Sequence, residues 1–510
     1  MRLLLFVLLW PSAWSAQQLH VNGRIEFDAG SAKAVEFKSP KGDVVKVLSY
    51  WDGGDRWRVR FSPPTPGRWK YTADKRKGSF QVSAYKGANP LYLHGRIGLS
   101  ENRRYFTHAD GTPWFFLSDT GWNAALKSTR EEWQRYVADR AQKKFTAIQF
   151  VMTQWRAGRE DERGQTAFKL EKGKLQINPA FFSRMDEKFD ALNERGLAAA
   201  PVMLWALASK DRESPGISLS AEQAIELGRY MNARYQAHHV LWILGGDGDY
   251  SGANAARWKS IGRGVFPAGS VHAPVTLHPR GMRSPWPEYV AETWLDFFFY
   301  QSGHGSNAAK WKWNATEGMA KDWKLEPARP VIDGEPNYEG HLSYQGGQTI
   351  SSADVRRAVY YSLLAGPTAG VTYGAHGIWF WSRKAEVPLD HPTTGVALPW
   401  DQCLNYPGAQ QMRTMRDIFD SMEWWKLRPD RTLLSENAVD EGFTNYVMAS
   451  RSEDGKFALL YAPASTAISL NVGKFKHAAW INPKTGQKKE IAIAAKLSTP
   501  GPGDWLLLCW

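Results

Sequence analysis

The residues between about positions 21 and 82 form short apolar runs separated by polar turn-forming residues. Asp52-Gly53-Gly54-Asp55 is one such turn. Short strands joined by tight turns predict a small antiparallel, Ig-like β-sandwich, which we place at residues 17–86. The predicted strands are Ala34–Phe37, Val44–Trp51, Trp57–Phe61, Trp69–Thr72 and Ser79–Val82.

From about residue 95 the pattern changes to apolar runs that alternate with amphipathic helices. The predicted strands are Pro113–Leu117, Thr146–Met152, Ala198–Leu204, Val240–Leu244, Pro274–Leu277, Trp294–Tyr300, Pro330–Asp333 and Val371–Tyr373. Capping boxes begin three of the helices, at Ser128-x-x-Glu131, Ser220-x-x-Gln223 and Ser351-x-x-Asp354. Eight strand–helix units predict an α/β fold, a (β/α)₈ TIM barrel over residues 95–428. A doubly wound sheet is the alternative, although no Gly-x-Gly-x-x-Gly opens a helix.

After residue 430 the sequence returns to short strands and turns, such as Lys484-Thr485-Gly486. This pattern predicts a C-terminal antiparallel β-domain, a second sandwich at residues 431–510. The predicted strands are Tyr446–Ser450, Phe457–Tyr461, Ile468–Val472, Ala478–Ile481 and Trp505–Cys509.

The first residues have the pattern of a secretory signal peptide. Arg2 precedes the apolar run Leu3–Trp10, and small residues follow. We expect residues 1–15 to be removed by cleavage after Ser15 or Ala16, and the protein to be secreted or periplasmic. The apolar run is too short to span a bilayer, and no other stretch of about 18 apolar residues occurs, so no membrane helix is expected.

Charge and composition narrow the class of protein. The 510 residues carry a net charge of +13, but no run of five basic residues occurs, which favours a basic soluble protein over a nucleic-acid binder. The 25 Trp residues raise the expectation of a carbohydrate-binding cleft, because flat rings stack on sugars. Cys403 and Cys509 either pair across a long loop or remain free, buried thiols.

Carboxylates stand directly after the fourth and seventh predicted strands, at Asp247 and Glu335. The loops that follow the strands of a TIM barrel build the active site, and these two strands face each other across its mouth. Two carboxylates match glycoside hydrolysis, in which one protonates the leaving oxygen and the other attacks, or activates water at, the anomeric carbon. Neither a metal nor a cofactor is expected. Candidate substrate contacts after the strands are Asp119, Trp122, Gln154, Trp155, His278, Gln301, His304, Tyr338, His376 and Trp379.

Each candidate alone also fits a structural role. Asp247 is typical of a turn or a helix cap, and Asp249 competes with it as the catalytic acid. Asp333 fits a residue that hydrogen-bonds backbone, His278 and His304 fit structural histidines, and Trp379 fits core. Other chemistries lack their motifs, since the chain has no His-Glu-x-x-His, no Gly-x-Ser-x-Gly and no Walker loop.

The barrel motifs resemble those of the apiosidase-like glycoside hydrolases, glycoside hydrolase family 140 and its relatives. The motifs are DTGWN at Asp119–Asn123, WILGGD ending at Asp247, QSGHG at Gln301–Gly305 and VIDGEPNYEG at Val331–Gly340. Tyr50–Trp69 resembles the Ig-like domain that often precedes this barrel, and Ala478–Gly486 is similar to a C-terminal module named for collagen binding. The resemblance implies a retaining enzyme with Asp247 as acid/base and Glu335 as nucleophile. It also implies a polysaccharide or oligosaccharide substrate, with an apiosyl linkage of the pectin rhamnogalacturonan II as the characterised case.

Two other classes of function remain open at this point. A degenerate barrel that binds carbohydrate or a surface without catalysis would show saturable glycan binding and no hydrolysis. A protease acting on matrix proteins would show activity on gelatin that a chelator or a serine reagent blocks.

Overall fold

The structure is a computed structural model that describes residues 19–207, 210–436 and 442–510. The predicted signal peptide, residues 1–15, lies outside the described residues.

The N-terminal region is an antiparallel β-sandwich of two small sheets, with strand orders β1-β5-β4 and β3-β2-β6-β7. Apolar side chains alternate along the strands, so that Val35 and Phe37 are buried while Glu36 and Lys38 are exposed. The predicted strand Val44–Trp51 is broken at Ser49, and its halves join different sheets. The strands are β1 (Ile25–Asp28), β2 (Ala34–Lys38), β3 (Val44–Leu48), β4 (Tyr50–Trp51), β5 (Trp57–Phe61), β6 (Gly67–Ala73) and β7 (Arg76–Val82).

A short helix and a three-stranded antiparallel sheet connect the sandwich to the next region. They are α1 (Pro90–His94), β8 (Ile97–Leu99), β9 (Phe106–His108) and β10 (Pro113–Trp114). The predicted strand Pro113–Leu117 is therefore two strands, because Pro113 and Trp114 pair with β9 while the residues from Phe116 onward enter the central sheet.

The central region is the predicted (β/α)₈ barrel. Eight parallel strands follow the order β17-β16-β15-β12-β11-β21-β19-β18. Between the outermost two, Asp296 N donates to Val275 O at 2.9 Å and Thr276 Oγ1 donates to Phe297 O at 2.7 Å, so the sheet is nearly closed. The strands of this region are β11 (Phe116–Thr120), β12 (Ala147–Val151), β13 (Phe168–Glu171), β14 (Lys174–Ile177), β15 (Ala198–Trp205), β16 (Trp242–Gly246), β17 (Val275–Thr276), β18 (Phe298–Tyr300), β19 (Val331–Asp333), β20 (Tyr338–Glu339) and β21 (Gly370–Ala375).

Helices surround the barrel strands, and none of those described combines the length and the apolar character needed to cross a membrane. The predicted capping boxes at Ser220 and Ser351 are present, but the first box uses Thr129 and Glu132 instead of Ser128 and Glu131. The helices are α2 (Ala124–Lys127), α3 (Arg130–Gln142), α4 (Pro179–Glu194), α5 (Pro215–Ser218), α6 (Ala221–Tyr235), α7 (Ala253–Val265), α8 (Ala308–Thr316), α9 (Met319–Asp322), α10 (Ser352–Ala365), α11 (His376–Phe380), α12 (Trp400–Cys403) and α13 (Pro407–Asp420), with 3₁₀ turns at Trp286–Glu288, Trp424–Lys426 and Arg431–Leu433.

The C-terminal region is antiparallel, with a six-stranded sheet of order β22-β23-β24-β29-β26-β27 and a separate β25-β28 pair. Cys509 in this domain and Cys403 in α12 are both buried, free thiols, so the disulfide alternative does not hold. The strands are β22 (Leu427–Pro429), β23 (Met448–Ser452), β24 (Ala458–Ala462), β25 (Ala467–Ser469), β26 (Ala478–Ile481), β27 (Lys488–Ile491), β28 (Lys496–Ser498) and β29 (Trp505–Cys509).

Buried ion pairs join both flanking domains to barrel helices. Asp186 of α4 contacts Arg60 of β5 at 2.6 Å and Arg234 of α6 at 2.7 Å. At the other junction, Arg356 of α10 contacts Asp504 at 2.7 Å. Both junctions therefore contain ion pairs whose side chains are largely buried.

Candidate active site

A cavity of about 380 Å³ lies at the carboxyl ends of the barrel strands. Asp247 directly follows β16, Glu335 follows β19 by two residues, and both side chains line this cavity. Asp249, which competes with Asp247 in the sequence, is exposed and does not line it. The cavity volume is within the range usual for small-molecule sites, so one bound molecule can reach both carboxyl groups.

Small residues beside each carboxylate make the placement possible. A Cβ on Gly246 would lie 2.5 Å from the Trp205 ring, and a Cβ on Gly334 would lie 1.9 Å from the Phe299 ring. Asp247 itself has a φ of 47°, in the left-handed region, where Asp is among the better tolerated residues. The glycines therefore let the strand ends pack tightly while the adjacent carboxylate turns into the cavity.

Two imidazoles hold Glu335. His278 Nε2 lies 3.0 Å from Oε2, and His304 Nε2 lies 3.0 Å from Oε1. Burial alone would raise the pKa of Glu335, but the contacts and charges of His278 and His304 outweigh it and hold the pKa below its ordinary value. Burial would likewise lower the pKa of His278, and Glu335 reverses that shift and raises it. Glu335 is therefore kept ionised.

Asp247 has the opposite protonation behaviour. Burial raises the pKa of its carboxyl above the ordinary range, and the negative charge of Glu335 raises it further. The positive charges of His278, Arg280 and Arg156 act against this shift without cancelling it. Asp247 is thus held protonated and Glu335 is held ionised, as the acid and the nucleophile of a glycosidase must be.

A ring of five hydrogen-bonded side chains lies behind Glu335. Lys310 contacts Ser302 Oγ, Ser302 Oγ donates to Asp333 Oδ2 at 2.6 Å, and Ser362 Oγ donates to the same oxygen at 2.7 Å. Asn314 Nδ2 donates to Ser362 Oγ at 2.8 Å, and its Oδ1 accepts from Lys310 Nζ at 3.4 Å, which closes the ring.

The ring fixes backbone close to the nucleophile candidate. Asp333 Oδ1 accepts from the backbone N–H groups of Ser302 at 3.2 Å and Glu335 at 3.4 Å. Gly303 N donates to Glu335 O at 3.0 Å, one residue before His304. Asp333 therefore has the backbone-bonding role that its sequence also allowed, and it positions Glu335.

Aromatic side chains form much of the remaining cavity surface. Trp155 is held by its Nε1–H, which donates to Asn123 Oδ1 at 2.7 Å, and Trp379 Nε1 donates to His376 Nδ1 at 3.0 Å. Trp155 and Trp379 are almost fully buried and form rigid walls, whereas Tyr344 is exposed, and an exposed ring of this kind can stack on a sugar. The aromatic residues that line the cavity are Trp122, Trp155, Trp205, Tyr338, Tyr344 and Trp379.

Most of the candidate contacts predicted from the sequence come together here, and His278 lies behind the cavity surface against Glu335. The predicted residues that line the cavity are Trp122, Trp155, Gln301, His304, Tyr338 and Trp379.

Three predicted substrate contacts are placed elsewhere. Asp119 belongs to β11, and its carboxylate is buried against α3, where Oδ2 accepts from Tyr136 at 2.7 Å and from Arg140 at 2.6 Å. The side-chain amide of Gln154 is bonded to the backbone of its own loop. Its Nε2 donates to Phe168 O at 2.9 Å, and its Oε1 accepts from Ala167 N at 2.9 Å. His376 stands behind Trp379 and bonds Gly395 O at 3.2 Å, so it supports the cavity surface without forming it.

Other residues that line the cavity were not among the candidates predicted from the sequence. Arg280 follows β17 by four residues, and its position after a strand was a usable signal. His341, Tyr344 and His391 lie in long loops whose path the sequence pattern does not show. Among the described residues, no group of His, Cys, Asp and Glu is arranged to hold a metal ion.

Family models match three successive parts of the chain. A family model described as "Apiosidase-like, catalytic domain" matches residues 100–426. A "Domain of unknown function (DUF5060)" matches residues 12–76, and a "Putative collagen-binding domain of a collagenase" matches residues 428–500. No curated protein matches the chain.

Solved structures share the fold. One titled "Glycoside hydrolase" has a TM-score of 0.72 and 23% identity, covering 83% of this chain and 98% of its own. A glycoside hydrolase family 5 structure from Bacteroides vulgatus has a TM-score of 0.70 and 22% identity, covering 83% and 95%.

Proposed function

The chain belongs to the apiosidase-like family and is a glycoside hydrolase, and from this premise we propose that it cleaves its substrate with retention of configuration. Asp247 is the acid/base and Glu335 is the nucleophile. The observation that carries this assignment is that both carboxyl groups line one cavity while two imidazoles, each 3.0 Å away, hold only Glu335.

In the first step, a Glu335 carboxylate oxygen attacks the anomeric carbon while Asp247 gives its proton to the leaving glycosidic oxygen. The bond between the anomeric carbon and that oxygen breaks, and a glycosyl ester forms on Glu335. His278 and His304 keep the attacking group ionised until this point.

In the second step, Asp247, now ionised, takes a proton from water, and the resulting hydroxyl attacks the anomeric carbon. The ester bond breaks, Glu335 leaves as a carboxylate, and Asp247 is protonated again. Two inversions give net retention.

The substrate is a plant or bacterial glycan, and a pectic apiosyl linkage is the specific case that the family suggests. A cavity of about 380 Å³ is at the small end of the usual range, which suits a short glycan segment. Secretion through the N-terminal signal peptide fits a polymer substrate outside the cell. N-terminal sequencing of the exported protein should begin at Ala16 or Gln17.

The first experiment is a panel of plant and bacterial polysaccharides, read as released sugars. On an active substrate, Asp247→Asn and Glu335→Gln should each lower kcat/KM at least about 100-fold with the fold intact. Asp249→Asn, an exposed carboxylate two residues from Asp247, is the matched control and should retain activity. Turnover like that of the wild type in either carboxylate variant would refute the assignment.

Stereochemistry separates retention from inversion. Proton NMR should show the first released sugar with the anomeric configuration of the substrate. Azide should restore cleavage of an activated glycoside by Asp247→Ala, and the product should be the glycosyl azide of retained configuration. Saturable glycan binding by the wild type with no hydrolysis would instead support the non-catalytic alternative.

A further inference from the structure

The outer face of one sheet of the N-terminal sandwich carries an unbalanced positive charge. Residues 17–86 contain 14 Lys and Arg residues but only 7 Asp and Glu residues, whereas the whole chain has 64 and 51. This short region therefore supplies +7 of the net charge of +13. The sheet concerned is β3-β2-β6-β7, and its exposed, outward-pointing cations, which we call the basic face, are Lys38, Lys46, Arg68, Lys70 and Lys77.

The position of this sheet leaves the basic face open to solvent. The other sheet of the sandwich is directed toward the barrel, where Arg60 of β5 pairs with Asp186 of α4 at 2.6 Å. Between the two sheets, inward-pointing side chains such as Phe37 form the core of the sandwich. Side chains alternate along a strand, so Lys38, which follows Phe37 and is exposed, points away from both the core and the barrel.

The strand register places like charges side by side on this face. Lys38 of β2 lies directly opposite Lys70 of β6. Like charges at directly opposite positions destabilise a strand pair, so stability does not explain this arrangement. Among the outward positions of the four strands, all of which the structure describes, Glu36 is the only acid, and it lies opposite Lys46.

The cations of the basic face are also free of closer counter-charges. Within residues 19–207, 210–436 and 442–510, none of the five forms an ion pair. Elsewhere in the same sandwich, Arg24, Arg58 and Arg60 are all paired with Glu26. A row of unpaired cations on one flat surface creates a positive potential that attracts an anionic partner.

The remaining outward side chains distinguish between classes of anionic partner. Thr72, Ser79 and Gln81 place hydroxyl and amide groups among the cations, which suits the hydroxyls of a sugar. No outward position of these four described strands holds an aromatic ring, whereas sheet faces that bind single-stranded nucleic acid stack bases on aromatic side chains. The exposed apolar residues Val44 and Leu48 are confined to the edge strand β3, so the centre of the face has no side chain to insert into a lipid bilayer.

We propose that the basic face binds an acidic polysaccharide, of the polyuronate class, in which successive sugars carry carboxylates. The carboxylates pair with Lys38, Lys70 and the other cations of the face, and ring hydroxyls bond Thr72 and Ser79. Retention of a polymer on the sandwich raises the concentration of glycosidic bonds at the cavity of the same molecule. The site goes beyond the proposed hydrolysis and does not depend on the roles of Asp247 and Glu335.

Affinity electrophoresis of the full chain in gels that contain polygalacturonate tests the proposal. The wild type should bind polygalacturonate more tightly than the neutral, methyl-esterified polymer, and added salt should weaken the binding. The double variant Lys38→Thr/Lys70→Thr should bind about tenfold more weakly, because each lysine near an anionic surface strengthens binding several-fold. The matched control is Lys474→Thr/Lys484→Thr, which removes two exposed lysines of the C-terminal domain and should bind like the wild type.

Thermal unfolding separates a loss of binding from a loss of structure. Lys38→Thr/Lys70→Thr replaces a like-charge pair with a favourable Thr–Thr pair, so its Tm should equal or exceed that of the wild type. Equal weakening by the two double variants would overturn the proposal, because net charge alone would then explain binding. Unchanged binding by Lys38→Thr/Lys70→Thr would also overturn it, as would equal binding of the methyl-esterified polymer by the wild type. Tighter binding of single-stranded DNA or of phosphatidylglycerol vesicles would show that the assigned class of partner is wrong.

Discussion

Glu335 lies between two imidazoles, and this neighbourhood sets the pH range in which it can act. Since His278 and His304 hold its pKa down, activity should fall at low pH only when Glu335 is finally protonated. Asp247 must carry a proton to act as acid, and its raised pKa places the loss of activity at high pH. We therefore expect a bell-shaped profile of kcat/KM against pH.

His304→Gln should move the acid limb of that profile to higher pH. The substitution removes a contact at 3.0 Å that favours the ionised carboxylate, so the pKa of Glu335 rises. The basic limb, which reports Asp247, should move much less and serves as the internal control. The measurement is kcat/KM across the pH range of stability, and an unmoved acid limb would contradict the role of His304.

The sequence identifies a site residue correctly where its position just after a strand places it at the barrel mouth, as for Asp247 and Glu335. It does not do so where the direction of the side chain decides whether the residue faces the site. Asp119 is inside β11, and every residue of that strand is buried, so no alternation of polar and apolar residues shows which side faces the barrel interior. Asp119 points to α3 and is paired with Arg140 there.

Helix α8 contributes to the site through Lys310 and Asn314, one turn apart. Lys310→Met should lower kcat about tenfold or more with KM little changed, because the ring that fixes Glu335 and Ser302 is opened. Lys310 is a positioning residue, so the acid limb of the pH profile should also move.

Lys312→Met is the matched control for this prediction. Lys312 is exposed on the same helix and should tolerate the change without loss of activity. Steady-state kinetics with circular dichroism on both variants makes the comparison. Equal kcat values for Lys310→Met and wild type would exclude a positioning role.

The positions of most elements followed from apolar runs, but their ends did not. The fourth barrel strand was expected at Val240–Leu244 and is Trp242–Gly246, because glycines carry no hydrophobic signal and yet pair with β15. The first capping box fits both Ser128 and Thr129, and Ser128 is instead bonded by Lys188 Nζ at 2.8 Å, a contact sixty residues away in the chain.

The molecule is held together at its domain junctions by contacts between distant parts of the sequence. Asp186 accepts from Arg60 and Arg234, and these charges lower its pKa against the effect of burial. A carboxyl group whose pKa is lowered in the folded state stabilises the fold at pH values above its pKa in the unfolded chain, which is about 3.9 for Asp. This stabilisation is lost as the pH falls toward the pKa of the folded state.

Asp186→Ala should lower the free energy of unfolding of the sandwich–barrel unit by about 3 kcal/mol at pH 7, the lower end of the range for breaking a buried ion pair, because Arg60 and Arg234 each lose one carboxylate partner and keep another, Glu26 and Asp52. The midpoint of the first transition in urea measures the effect. Asp55→Ala, an exposed aspartate of the same sandwich, should have little effect. A first transition unchanged by Asp186→Ala would show that this junction does not limit stability.

The three-part architecture was predictable because each part has its own hydrophobic period. The junctions were not, since Arg60 and Asp186 are 126 positions apart and neither stands in a motif. The same limit applies to the basic face, where the register of β2 and β6 brings Lys38 opposite Lys70.

Covalent trapping tests most directly whether Glu335 is the nucleophile of a two-carboxylate site. Once the glycan panel identifies the sugar, its activated 2-deoxy-2-fluoro glycoside should label the enzyme once. Mass spectrometry of the peptides should place the label on Glu335, with none on Glu335→Gln and normal labelling of Asp249→Asn. A label on another residue, or release of a product of inverted configuration without any label, would contradict the account.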